Sequence, residues 1–100
     1  MRSIILEPGK TPYIKDIAGE YEELTSIVGG YLESMRLRGG AYALFDEEGI
    51  IKGKMPGHVI SDAYGNAHHI VGTAVIVGCN PATGLYVDVP NSTAKQYGVL

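Results

Sequence analysis

Four small groups of residues have types and spacing that could do chemistry. The first is Gly9-Lys10-Thr11, which ends like the phosphate-binding loop GxxxxGK[ST]. That loop would need a glycine at position 4, where Ile4 sits inside an apolar run. It would also have to open a helix whose first amides face the phosphate. Here Pro12 and the strand-like Tyr13-Ile14-Lys15-Asp16-Ile17 follow instead. Pro8, Gly9 and Pro12 therefore read as a turn.

The second group is His58, His68 and His69, with Asp62. Neighbouring residues face opposite sides of a strand, so His68 and His69 cannot readily share one ion, and no HxxxH or Cys/His spacing supports a site. They are read as loop histidines facing solvent, and no metal is expected. The third is Cys79, the sole cysteine, which excludes an internal disulfide and a multi-cysteine zinc site. A thiol nucleophile would need His68 or His69 beside it. A lone cysteine after an apolar strand is read as buried and inert. The fourth is Asp46-Glu47-Glu48, a carboxylate cluster placed at a hairpin tip, where exposed and unperturbed acids are expected. No catalytic residue is assigned and no cofactor is expected.

Binding is the stronger prospect. Residues 55–70, MPGHVISDAYGNAHHI, lack clear periodicity. They are either a binding loop, since so long an irregular stretch is uncommon in a compact domain, or a short helix that periodicity fails to reveal. Tyr64, Asn66, His68 and His69 from this segment, joined by Arg36 or Arg38 from the sheet, form the candidate ligand-binding set. Self-association would deepen such a pocket, because subunit interfaces supply the concavity that 100 residues offer sparingly.

These residues need elements to position them. Ile4-Ile5-Leu6 reads as a buried strand, and Tyr13–Ile17 as its hairpin partner. Glu20 to Val28 reads as the main helix, with Tyr21, Leu24, Ile27 and Val28 on one face and Gly29-Gly30 ending it. Tyr31 to Arg38, a Gly39-Gly40 hairpin turn, Ala41 to Phe45, and Ile50-Ile51-Lys52 read as a three-stranded meander. Thr73 to Val77 is a β-branched run suited to a central strand buried on both faces. Leu85 to Val89 reads as a short strand, and Asn91-Ser92 as the cap of a last helical turn. The sum is a single α+β domain, one main helix on a mostly antiparallel sheet of about five strands.

Composition narrows the function classes. The formal net charge is −3, and Arg36 with Arg38 is the densest basic pair, so nonspecific nucleic-acid binding is disfavoured. Nine of the eleven acids lie in the first half. The N-terminus leads into three strong apolar residues, far short of a signal-peptide core or a membrane span, and a cytoplasmic protein is expected.

The strand ending in Glu7-Pro8-Gly9-Lys10, the helix closing on Ile27-Val28-Gly29-Gly30-Tyr31, the Glu47-Glu48-Gly49 hairpin and the Val71-Gly72-Thr73 lead into Val75-Ile76-Val77-Gly78 resemble a family of short uncharacterised proteins of bacteria, bacteriophages and mobile elements. The resemblance runs over residues 2–80, and the V-G-G-Y and E-E-G elements are its most specific parts. It departs at Asp46, where Asn is expected, and at Pro56-Gly57, where Pro-Asn is expected. It implies an accessory protein of phage or plasmid type. The leading expectation is a non-enzymatic protein that binds a host protein, such as a defence or nucleic-acid-processing factor. A small-ligand binder, for instance one sequestering a nucleotide signal through residues 55–70, stands second. A hydrolase using His68 or His69 stands third.

Overall fold

The β-branched run after Gly72 forms the middle strand of the main sheet, as its composition requires. The computed structural model describes residues 1–100. The elements are β1 (Arg2–Leu6), β2 (Tyr13–Asp16), α1 (Tyr21–Val28), β3 (Leu32–Arg36), β4 (Ala41–Asp46), β5 (Pro56–Ser61), β6 (Ala67–Val71), β7 (Ala74–Cys79), β8 (Tyr86–Val87) and α2 (Asn91–Gln96). The main sheet runs β2-β1-β7-β4-β3, with β8 paired to the end of β7, and every pairing is antiparallel. Strands β5 and β6 form a separate two-stranded sheet.

Alternation along the central strands builds two cores. Ile5, Leu44, Val75 and Val77 face one way and meet Leu24 and Val28 of α1. Ile4, Leu6, Ala43 and Ile76 face the other way and meet Ile60 of β5, Ile70 of β6, Val89 and Ala94 of α2. The molecule thus has three layers: α1, the main sheet, and the β5–β6 hairpin together with α2. With both faces covered, β1 and β7 read as continuous apolar runs although their pairings are antiparallel.

Local signals placed several elements well. Gly29 takes a left-handed φ of 83° and its N–H donates to the Thr25 carbonyl, which ends α1. Gly39 and Gly40 take left-handed φ of 79° and 84° in the turn between β3 and β4, which the Leu37 N–H closes on the Ala41 carbonyl.

The expected α+β arrangement, one main helix on a mostly antiparallel sheet, is observed, with the short β8 added to a five-strand path and a second small sheet lying apart. Three expectations need correction. Residues 55–70 are neither a loop nor a helix but the β5–β6 hairpin. Its register shifts between Pro56 and Val59, and only Ile60 and Ile70 are buried, so no period of two survives in the sequence. Ile50-Ile51-Lys52 is not a third meander strand. The Lys52 N–H donates to the Glu48 carbonyl at 2.9 Å and the Lys54 N–H to the Gly49 carbonyl at 3.1 Å, so the chain coils there. Ile50 and Ile51 are left 79% and 84% exposed. Finally, Pro90 occupies the cap position of α2 and no side chain caps it; Asn91 Oδ1 instead accepts from the Arg2 guanidinium at 3.0 Å. No helix is long and apolar enough to cross a membrane.

Candidate functional site

Three segments that are distant in sequence wall a groove of about 510 Å³. Leu37 and Arg38 come from the turn after β3, Ser61, Asp62 and Gly65 from the end and turn of the β5–β6 hairpin, and Thr93, Gln96 and Tyr97 from α2 and its end. The walls are tied together. The Ala63 N–H donates to the Arg36 carbonyl at 2.9 Å, and Arg38 Nε donates to the Ala63 carbonyl at 3.3 Å. Arg38 is thereby held against the hairpin turn, and it lines the groove.

The hairpin turn is organised by Asp62. Its Oδ1 accepts the N–H groups of Tyr64 and Asn66, and its Oδ2 accepts from His68 Nε2 at 2.8 Å. The His68 contact, with the two backbone donors behind it, lowers the Asp62 carboxyl to about 2. Gly65 adopts a φ of 87° that completes the turn. On the opposite wall, burial pushes the Tyr97 hydroxyl above its ordinary value, so it remains a neutral donor.

The residues expected to bind ligand are divided by the fold. Arg38 lines the groove, and Arg36 contributes its backbone carbonyl to the wall. Tyr64, Asn66 and His68 belong to the hairpin that carries the wall and do not line the groove themselves. His69 points elsewhere, into a shallow depression beside Phe45 and Asp46. Sequence reasoning missed Ser61, Thr93, Gln96 and Tyr97. A signal existed for the last three: positions i, i+3 and i+4 share one helix face. His58 is not a solvent-facing loop residue, since its ring is half-buried and Nε2 lies 2.9 Å from the Glu7 carbonyl. Cys79 is half-buried at the β7 end, and its thiol reaches only the Asn80 carbonyl, at 3.9 Å.

Asp46 departs most from expectation. It is only 4% exposed, rather than an exposed acid at a hairpin tip. The Glu48 N–H donates to its Oδ1 at 2.9 Å, while Lys54 and Lys52 Nζ reach its Oδ2 at 2.7 and 3.0 Å. Lys54 Nζ also donates to the carbonyls of Val28 and Gly29, the end of α1. Led by the Lys54 contact, these donors hold the Asp46 carboxyl well below the usual carboxylate range. Gly30 makes room for it: a Cβ there would lie 2.5 Å from the Asp46 carboxyl carbon. The V-G-G-Y and E-E-G segments therefore meet at one buried carboxylate.

A family model described as "Domain of unknown function (DUF3846)" matches residues 1–99. No curated protein and no solved structure matches the chain.

Proposed function

The chain belongs to that family of domains of unknown function, and on that footing we propose that it is a non-enzymatic binding protein holding a small polar ligand with an anionic group in the Arg38 groove. One observation carries this reading. Arg38, the hairpin turn and α2 converge on a concave space of about 510 Å³ whose lining is mostly polar. That volume lies in the range of ordinary small-molecule sites, roughly 300–1,000 Å³. Arg38 supplies the cation for an anionic group. Gln96, Thr93, Ser61 and Tyr97 supply neutral donors and acceptors for the remainder. Asp62 is already occupied by two backbone amides and His68, so it shapes the site more than it competes for ligand. A nucleotide is the leading candidate within this class.

A thermal-shift screen of nucleotides and other small anions tests the reading. A ligand at 100 times its dissociation constant adds about 2.7 kcal/mol to stability. Some members of the screen should raise the melting temperature of the native chain and leave Arg38→Ala unmoved. Flat curves across the screen would dismiss it.

A second reading, binding to a host protein, is favoured by the coiled segment after β4. Ile50 and Ile51 stand out in solvent, as does Met55, next in the chain to the Lys54 that anchors this segment. The resemblance to phage and mobile-element proteins supports the same reading, and the surplus of acid would speed encounter with a basic partner. A partner retained by the native chain should be lost with Ile50→Ser/Ile51→Ser. Retention unchanged by that double substitution would remove this surface from consideration. Both readings assume a cytoplasmic protein.

A further inference from the structure

The α1 side of the sheet carries a separate cleft, of about 220 Å³, lined by Tyr21, Thr25, Gly30, Tyr31 and Lys52. Its chemistry follows from the Asp46 junction beneath it. Lys54 Nζ has three acceptors within 3.1 Å, so each of its N–H groups is used. Asp46 is kept ionised chiefly by Lys54 and the Glu48 N–H, with Lys52 adding less. Lys52 is the less engaged of the two ammonium groups at Asp46: its side chain is 40% exposed and its second acceptor, the Gly29 carbonyl, is distant at 3.4 Å. One N–H of Lys52 remains for an incoming anion.

The remainder of the cleft suits a flat ring. Tyr21 and Tyr31 are 60% and 63% exposed, so large aromatic faces stand in water rather than in the core. Gly30 also lines the cleft; it is not left-handed and is glycine for reasons of space, since a side chain would strike Asp46. Aromatic side chains stack on heterocycles and other rings with little regard to substitution.

We propose that this cleft is a second ligand site, taking a planar aromatic ring that carries one phosphate or carboxylate, with the ring on Tyr21 or Tyr31 and the anion on Lys52. It is independent of the Arg38 groove, which lies on the other side of the main sheet.

The test is an amide-resolved NMR titration of the full chain with AMP and with phenyl phosphate, against adenosine and ribose 5-phosphate as controls lacking the anion and the ring. AMP or phenyl phosphate should shift the amides of Tyr21, Thr25, Gly30, Tyr31 and Lys52, and should bind about tenfold more tightly than either control. Which of the two binds better shows whether the natural ligand is a nucleotide or a simpler aromatic acid. Tyr31→Ala and Lys52→Gln should each weaken binding about tenfold. Lys52→Gln should keep the fold, because Lys54 still satisfies Asp46. Absence of shifts in this cleft with both probes would overturn the proposal. So would shifts confined to Arg38 and α2, or affinities that neither substitution changes.

Discussion

Lys54 Nζ stands 2.7 Å from an Asp46 carboxylate oxygen and 2.8 Å from the Val28 carbonyl oxygen. One ammonium thus joins the end of β4 to the last turn of α1, and places the coiled segment 47–53 between them. Breaking a buried ion pair by removing one partner leaves the other charge without compensation, at a cost near 3–5 kcal/mol. Lys54 retains some contact with water, so Asp46→Ala should destabilise by about 3 kcal/mol. Asp46→Asn keeps an acceptor for the Glu48 N–H and should cost about 1–2 kcal/mol. Urea unfolding of the three chains measures both.

Adjacent glycines at the end of α1 serve different purposes, and a double-mutant cycle separates them. Gly29→Ala meets its left-handed φ of 83° and should cost about 1 kcal/mol wherever it is made. Gly30→Ala meets the Asp46 carboxyl and should cost about 1–3 kcal/mol as overpacking. In an Asp46→Ala background the Gly30→Ala cost should largely vanish and the Gly29→Ala cost should persist.

Acid should unfold the protein partly through Asp46. Its folded pKa is depressed below the reference value of 3.8, so the stability it contributes is complete above that value and is lost as pH falls toward the folded pKa. Asp62 behaves in the same sense, between 3.8 and about 2, though the exposure of its partner His68 makes the effect slight. Stability measured from about pH 6 to about pH 2 should fall less steeply for Asp46→Asn than for the native chain. Parallel curves would refute the assignment.

The β5–β6 hairpin has only two strands and depends on its anchors in the core beneath it. Ile60 is fully buried, and Ile60→Ala should cost about 2–5 kcal/mol. Ile51→Ser, on a residue 84% exposed, should stay within about 0.5 kcal/mol of the native chain. Thermal denaturation distinguishes the two readily.

What could be read from the sequence was what local chemistry decides. Glycine pairs ended α1 and turned β3 into β4, and a β-branched run became β7. The hairpin at 55–70 escaped because a register shift erased its alternation, although Asp62 with Gly65 three positions on is a turn signal in its own right. The Ile50-Ile51 pair misled because apolar residues suggest a strand, while the backbone there is organised by Asp46 and its neighbours. The groove was half legible. Arg38 was among the candidates, yet the α2 wall is set by tertiary packing of Val89 and Ala94 against β5 and β6, which no nearby residue announces. Burial of Asp46 was hidden for the same reason: its partners Lys52, Lys54 and Gly30 gather only once α1 docks.

Calorimetric titration of the best-binding compound from the small-anion screen into the native chain and into Arg38→Ala decides the proposed function most directly. Saturable one-to-one binding is expected in the native chain, with affinity weakened at least about tenfold by the substitution, as loss of a charge-assisted contact implies. Equal affinity in the two proteins, or no compound that binds, would contradict a ligand site at the Arg38 groove.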